Sequence, residues 1–215
     1  RYASRGLGDV YKRQAIISVF DKTNLDLIAN FLIKKKFTIF SSGGTSKYLK
    51  QINIPHIEIS KYTKQKEILD GRVKTLHPKI FGGLLATTKK NHQKEMKNEG
   101  MVYFDLLVIN LYPFQDTINK VKDESKIIEM IDIGGNSLIR AAVKNYQRIA
   151  PITDPNDYET FIKKYPLNQN QRKKFAKKAI QRVANYDNAI FNWFDGNITS
   201  KYELRYGENP VSYTH

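Results

Sequence analysis

Short apolar runs alternate with helical stretches along this chain, and this alternation constrains the fold more than any other feature. The runs have the length of buried strands and lie at residues 15–19, 37–40, 57–59, 105–110 and 148–152. Between the first two, Leu25, Ile28 and Leu32 recur at the spacing of one helical face. Strands that alternate with helices favour a mainly parallel sheet covered on both faces. The sequence therefore predicts an α/β fold with three layers, α/β/α.

Polar residues that follow the strands mark where helices begin. Thr23 is the expected N-cap of the first helix, with Asp26 in its first turn. Further helices are expected near residues 46–51, 89–98, 124–130, 157–164 and 171–194, and after residues 132–136. Ligands of parallel sheets bind at the carboxyl ends of the strands. The polar motifs that follow the strands are therefore the candidates for a functional site.

The net charge of +15, from 36 Lys and Arg against 21 Asp and Glu, has two interpretations. One is a basic face that binds nucleic acid. The other is a lysine-rich surface on an enzyme that handles anionic small molecules. Lysine runs such as 34–36 and 173–178 lie in helical stretches, which is typical of solvated faces. We therefore expect no nucleic-acid partner.

The length of 215 residues suffices for one large domain with an extension. No run approaches the roughly 20 apolar residues of a membrane helix, so we expect no membrane association and a cytoplasmic location. The absence of cysteine excludes disulfides and thiolate metal sites. We expect residues 1–14 to be a non-native or disordered leader and residues 15–198 to form the main domain.

Residues 71–78 place two fixed cations, a hydroxyl and an imidazole between a glycine and a proline. Gly71 and Pro78 favour a shaped loop over a helix interior. The Arg72 guanidinium offers a planar donor fork to phosphate or carboxylate, and Lys74 can bind charge or move a proton. The alternative interpretation is an exposed basic loop that binds nothing.

Two glycine turns lie next to predicted helix starts. In residues 42–45, with the sequence SGGT, backbone N–H groups, hydroxyls and the helix N-terminus suit a phosphate. The alternative is a tight turn capped by Ser and Thr. Residues 132–135, with the sequence DIGG, repeat this arrangement, and their carboxylate either caps the helix or relays a proton.

Several further side chains are candidates for binding charge or moving protons. Arg140 and Lys144 lie four residues apart and share a helix face, which points to solvent or to a ligand. Tyr112 and His77 can move protons, and Lys22 adds a cation, although Tyr112 also suits an aromatic plug at the sheet edge. The sequence has no Walker motif, no G-x-G-x-x-G and no convincing metal-ligand spacing. These features predict an enzyme for a phosphate-bearing small molecule that uses neither cofactor nor metal.

A series of motifs gives the chain a family resemblance. They are SVFDKT at 18–23, SGGT at 42–45, DGRVKTLHP at 70–78, NLYPF at 110–114, DIGG at 132–135, RAAVKN at 140–145 and LRYGENP at 204–210. Each motif alone is weak, but the series in this order is highly specific. Over residues 15–210 it resembles the bifunctional AICAR formyltransferase/IMP cyclohydrolase family, and it corresponds to the N-terminal cyclohydrolase domain.

The resemblance implies a methylglyoxal-synthase-like fold and an activity. That activity is ring closure of 5-formamidoimidazole-4-carboxamide ribotide (FAICAR) to inosine monophosphate (IMP), in the cyclic amidine hydrolase class. It implies that Lys144, oriented by Asp132, donates or accepts the proton, while Lys74 and Tyr112 stabilise the developing oxyanion. The implied substrate-binding residues are Lys22, Ser42, Gly43, Gly44 and Thr45 for the 5′-phosphate, Arg72 and Thr75 for the nucleotide, and Asn110, Ile133, Gly134 and Gly135 for the base.

The resemblance also implies a homodimer and a truncated second domain. We expect residues 199–215 to contain the start of the formyltransferase domain and a non-native tail, so formyltransferase activity should be absent. Phe20 stands where many relatives carry Ser, which removes a hydroxyl contact. The alternatives are a non-catalytic nucleotide sensor and a methylglyoxal-synthase-like lyase. The lyase chemistry needs a carboxylate base in the first glycine loop, and residues 41–45 contain none.

Overall fold

A five-stranded parallel sheet organises the computed structural model, which describes residues 12–196. Its strands are β1 (Gln14–Ser18), β2 (Thr38–Ser41), β3 (Ile57–Glu58), β4 (Leu106–Ile109) and β5 (Ala150–Ile152). They lie in the order β3-β2-β1-β4-β5, and every neighbouring pair is parallel. The prediction of a mainly parallel sheet is confirmed. Gln14, expected in the leader, is instead the first residue of β1, whereas residues 1–11 and 199–215 lie outside the described residues.

The helices lie between the strands and after the last one. They are α1 (Leu25–Lys34), α2 (Gly43–Gln51), α3 (Ile59–Thr63), α4 (Pro78–Leu85), α5 (Lys90–Asn98), α6 (Phe114–Lys120), α7 (Glu124–Ile128), α8 (Ile133–Lys144), α9 (Tyr158–Lys164) and α10 (Gln169–Phe194). The sequence predicts all of them except α3, α4 and α6. In residues 12–196 no helix combines the length and the apolar character needed to cross a membrane.

The predicted N-cap of α1 is wrong. Asn24 holds that position with a φ of 55°, in the left-handed region that asparagine tolerates. Thr23 instead turns back on Asp21, whose Oδ1 accepts from the Thr23 hydroxyl at 2.6 Å and from its N–H at 2.9 Å. The threonine side chain thus closes a local turn before the helix and does not cap it.

Alternate residues of the central strands face opposite layers. Ile17 and Val108 pack in one cluster with Leu25 of α1 and Phe161 of α9. The intervening Ile16 and Leu107 pack in a second cluster, together with buried residues Ile80 of α4, Leu138 of α8 and Val183 of α10. Because strand side chains alternate in direction, β1 and β4 each contribute to both cores. This packing produces the three layers that the sequence predicts.

The strand order leaves an opening at one edge of the sheet. The chain leaves β1 toward β2 on one side and returns to β4 on the other side of β1. Connections that leave in opposite directions create a crevice at the carboxyl ends of the strands. The long connection from β3 to β4 carries α3, α4, α5 and the loop at residues 64–77.

Candidate functional site

A cavity of about 760 Å³ lies at the carboxyl ends of β1, β2 and β4. That volume is in the range of pockets for small ligands. It is lined by every catalytic or substrate-binding residue that the family resemblance implies except Lys144, namely Lys22, Ser42, Gly43, Gly44, Thr45, Arg72, Lys74, Thr75, Asn110, Tyr112, Asp132, Ile133, Gly134 and Gly135. The fold therefore brings together motifs that are far apart along the chain.

The first glycine turn forms an anion cradle between β2 and α2. Gly43 has a φ of 53°, a conformation that glycine adopts without strain. The first N–H groups of a helix lack partners within the helix and carry its positive dipole end. A Cβ on Gly43 would lie 3.3 Å from Nζ of Lys74, so the ammonium stands directly beside the cradle. N–H donors and a cation together suit a phosphate group.

Thr45 has a structural role in this cradle. Its hydroxyl donates to the Val19 carbonyl at 2.9 Å and accepts from the Val19 N–H at 3.0 Å. The side chain is buried and ties α2 to the end of β1. Its hydroxyl is therefore committed to Val19, and the backbone N–H is the group that Thr45 can offer to a ligand.

Gly71 sets the position of the Lys74 side chain. Its φ of 87° lies in the left-handed region. A Cβ at this position would collide with Cε of Lys74. A side chain at position 71 would therefore require the end of the Lys74 side chain to shift.

Asp132 caps α8 inside the cavity. Its Oδ1 accepts from the Gly135 N–H at 2.7 Å, and its own N–H donates to the Tyr186 hydroxyl at 2.9 Å. Burial raises the pKa of Asp132, although the Gly135 N–H, the charge of Lys74 and the Tyr112 N–H oppose that shift. A carboxylate whose pKa is raised in a cleft is a candidate general base.

Tyr112 faces the same space from the end of β4. Burial raises the pKa of its hydroxyl, and the charges of Asp132 and Glu67 raise it further. The group is therefore a protonated donor at neutral pH. Phe20 packs edge-on against the Tyr112 ring, with 5.5 Å between the ring centroids. The phenyl group thus occupies the position at which the family resemblance implies a hydroxyl.

Asn110 fixes the loop that carries Lys22. The buried amide oxygen accepts from the N–H groups of Phe20 at 2.6 Å and Asp21 at 2.9 Å, and the amide nitrogen donates to the Asp21 carbonyl at 2.8 Å. Lys22 Nζ in turn donates to the Phe20 carbonyl at 3.0 Å. Asn110 lines the cavity, but its amide oxygen is already occupied by the protein.

The structure separates Lys144 from the site. Lys144 is the last residue of α8, whereas Asp132 caps the first turn. Twelve residues of helix rise about 18 Å, and the Lys144 side chain is exposed. Within one chain Asp132 therefore lies at the opposite end of α8 from Lys144, and the role of Lys144 as proton donor or acceptor stays a prediction. Arg140, on the same face, is also not directed at a ligand, because it forms an ion pair with Asp187 of α10 at 2.9 Å.

His77 likewise has a structural position. Its Nδ1 accepts from the Lys79 N–H at 3.1 Å and caps the first turn of α4. Pro78 is the first residue of that helix, where proline is well tolerated. Residues 71–77 thus form the expected shaped loop, but the imidazole serves the helix and does not line the cavity.

Two carboxylates at the site were not predicted from the sequence. Glu129 binds the guanidinium of Arg72, and both residues line the cavity. Glu67 accepts from the Gly43 N–H at 3.2 Å. Both contacts join segments that are distant in sequence, and no local pattern marks either residue. The only signal in the sequence is that Glu67 lies close before residues 70–78 and Glu129 close before residues 132–135.

The fold and this cavity define an MGS-like domain. The chain belongs to the MGS-like domain family, whose model matches residues 24–137. Residues 142–213 match the model of the AICARFT/IMPCHase bienzyme family. The expected methylglyoxal-synthase-like fold is thereby confirmed.

Its relatives carry the name of one protein, bifunctional purine biosynthesis protein PurH. The one from Prochlorococcus marinus strain MIT 9515 is 43% identical over 212 residues, covering 91% of this chain and 41% of the relative. The one from Clostridium acetobutylicum is 43% identical over 212 residues, covering 92% of this chain and 42% of the relative. This chain thus spans about two-fifths of the length of these curated relatives.

A solved structure titled "Crystal structure of ForH" has the same fold. It superposes with a TM-score of 0.77 at 26% sequence identity, and the match covers 86% of this chain and 98% of that chain.

Proposed function

We propose that this chain is an IMP cyclohydrolase domain, which closes FAICAR to IMP with release of water. The observation that carries the proposal is the convergence of the anion cradle, Lys74, Tyr112 and Asp132 on one cavity. The similarity to proteins named bifunctional purine biosynthesis protein supports the same substrate. The 5′-phosphate would bind the N–H groups of residues 43–45, with Lys22 and Lys74 beside it.

The reaction needs one bond formed and one water lost. The carboxamide nitrogen attacks the formyl carbon of the same molecule, so the reacting atoms need only be held in position. Lys74 and the Tyr112 hydroxyl would donate hydrogen bonds to the oxygen as negative charge develops on it. Asp132 would accept the proton from the nitrogen. The ring closes as this N–C bond forms and the π bond of the formyl C=O breaks. The oxygen then takes up two protons, one from the carboxamide nitrogen and one from the formamido nitrogen, and leaves as water while the formamido nitrogen forms the C=N bond.

Lys144 is not part of this proposed set. Its catalytic role came from the family resemblance, and in a single copy of the chain it lies at the far end of α8 from Asp132. The homodimer and the cytoplasmic location remain proposals that depend on the resemblance to the purine biosynthesis proteins.

The test is turnover of FAICAR, followed by the absorbance of IMP. An active chain supports the proposal. A folded chain that binds IMP without turnover would instead be a nucleotide sensor, and this outcome would refute the cyclohydrolase activity.

One observation favours a second candidate, a methylglyoxal-synthase-like lyase. Its chemistry needs a carboxylate at the first glycine loop, and Glu67 supplies one from another segment, bonded to the Gly43 N–H. Such a lyase would release inorganic phosphate from a triose phosphate such as dihydroxyacetone phosphate. Phosphate release from that substrate, with no turnover of FAICAR, would favour the lyase.

A further inference from the structure

We propose that Glu67 is an internal anion that occupies the phosphate cradle when no ligand is bound and must leave when a phosphate enters. This inference rests on the proposed function, because it assumes that the ligand carries a phosphate. Glu67 is then a positioning residue that sets the affinity of the site for anionic ligands. Nothing in the motifs that define the family resemblance includes it.

The geometry places the carboxylate where an anion is expected. Oε1 of Glu67 accepts from the N–H of Gly43, the first residue of α2. This N–H is one of the few donors that the cradle offers. The other oxygen, Oε2, lies 3.6 Å from the position of a Cβ on Gly71, so the carboxylate sits between the cradle and the loop that carries Lys74.

A phosphate and this carboxylate exclude each other. One N–H cannot serve two anions with full strength, and like charges in contact repel. A ligand phosphate that uses the Gly43 N–H therefore has to displace Glu67. The apparent affinity for the ligand therefore equals the intrinsic affinity multiplied by the fraction of molecules in which the carboxylate has left the site.

The segment next to Glu67 is built so that it can move. Ile68 and Val73 exchange two backbone hydrogen bonds and form a narrow hairpin. Leu69 and Asp70 at its tip both have a φ of 53°, a conformation that side chains other than glycine adopt at a cost. Leu69 is 67% exposed, so the tip is weakly packed. Release of Glu67 would therefore move a hairpin that has little burial of its own.

The hairpin also carries Arg72, whose guanidinium binds Glu129, another residue that lines the cavity. The hairpin is thus attached at one end through Glu67 and at the other through Arg72. Departure of Glu67 would free the end nearest the cradle while the Arg72–Glu129 pair holds the other. Lys74, which follows the hairpin and whose ammonium already lies beside the cradle, would then face the incoming phosphate without the carboxylate next to it.

The test compares Glu67→Gln with the wild-type chain by isothermal titration calorimetry, with inorganic phosphate, IMP and inosine as the probes. We expect the variant to bind phosphate and IMP about fivefold more tightly, because an exposed charge that is removed has a modest, screened effect. Inosine has no phosphate, so its affinity should be unchanged. Glu99→Gln is the matched control, since it makes the same change in net charge on an exposed residue at the end of α5.

Failure of the inference about Glu67 can be distinguished from failure of the proposed cyclohydrolase function. Phosphate and IMP affinities of Glu67→Gln equal to or weaker than those of Glu99→Gln would overturn the inference, as would equal tightening for inosine. Absence of FAICAR turnover in a wild-type chain that binds phosphate would overturn the cyclohydrolase proposal and leave the role of Glu67 intact. Equal melting temperatures of the two variants would exclude a merely structural effect.

Discussion

At the scale of single residues, the Tyr112 hydroxyl is the donor whose removal is most informative. Its pKa is raised by burial first and then by the charges of Asp132 and Glu67, so it is protonated at neutral pH. Tyr112→Phe removes one donor to the developing oxyanion and should lower kcat by about 100-fold. KM for FAICAR should change much less, because the phosphate contacts remain.

Steady-state kinetics check this expectation, with Tyr146→Phe as the control outside the cavity. A Tyr112→Phe chain with the wild-type kcat would show that the hydroxyl does not take part in the reaction.

Asp132 connects the site to the pH dependence of stability. Its pKa is raised above the ordinary value of 3.8, chiefly by burial, so the folded chain holds this proton more tightly than the unfolded chain. Stability is therefore lost as pH rises through the interval between the two pKa values, and the loss is complete above both. Asp132→Asn keeps an oxygen for the Gly135 N–H but cannot ionise, so it removes this loss.

The free energy of unfolding of Asp132→Asn, relative to wild type, should accordingly be higher at pH 7 than at pH 3. Urea titrations at both values measure it, and the variant should also lose turnover because the amide cannot accept a proton. A relative stability that falls between pH 3 and pH 7 would mean that the carboxylate is stabilising in its charged form.

At the scale of elements, Arg148 joins the end of α4 to the start of β4 and β5. Its guanidinium donates to the carbonyls of Gly83 at 2.6 Å and Phe104 at 2.6 Å, with longer bonds to Ala86 at 3.2 Å and Leu84 at 3.3 Å. Lysine cannot reproduce this planar fork. Arg148→Lys should therefore lower the free energy of unfolding by about 2 kcal/mol, the scale of one lost hydrogen bond to a charged group.

Urea denaturation with Arg140→Lys as the control measures this effect. Arg140 forms an exposed ion pair with Asp187, so its replacement should change stability by less than about 0.5 kcal/mol. Equal losses for the two variants would contradict the role given to Arg148.

The helices and strands differ in how well the local sequence pattern predicts them. The strand β4 and the helix α10 have long, regular patterns, and the sequence predicts both. The helices α3 and α6, with five and seven residues, are missed, although α7 and α9 have the same lengths and are predicted. At such lengths the helical period gives too little signal to decide. Their formation depends on packing against the rest of the molecule.

The candidate site also has some features that the sequence predicts and others that it does not. Residues 42–45 and Tyr112 directly follow strands, and parallel strands bring their carboxyl ends together, so their convergence was predictable. Helical spacing predicted a common face for Arg140 and Lys144 but not their distance from Asp132 along the axis. The contacts of Glu67 and Glu129 arise only when distant segments meet, so no local pattern contains them.

At the scale of the whole molecule, the net charge of +15 should act on the rate of ligand association. Positive surface potential draws anions toward the site, and salt screens it, since the Debye length falls from about 30 Å at 0.01 M to about 10 Å at 0.1 M ionic strength. The association rate constant of IMP should therefore fall by about tenfold or more between these salt concentrations. Its dissociation rate constant should change less, because it depends on contacts within the cavity.

Stopped-flow measurements across this range test the idea, with neutral inosine as the control whose association rate should not depend on salt. An association rate constant for IMP that is equally independent of salt would show that the lysine-rich surface exerts no steering.

A short RNA tests the other interpretation of the charge, which is nucleic-acid binding. Because we expect solvated lysine faces and no basic groove, it should not shift in a gel at physiological salt, whereas a stable complex there would make the basic surface a nucleic-acid interface.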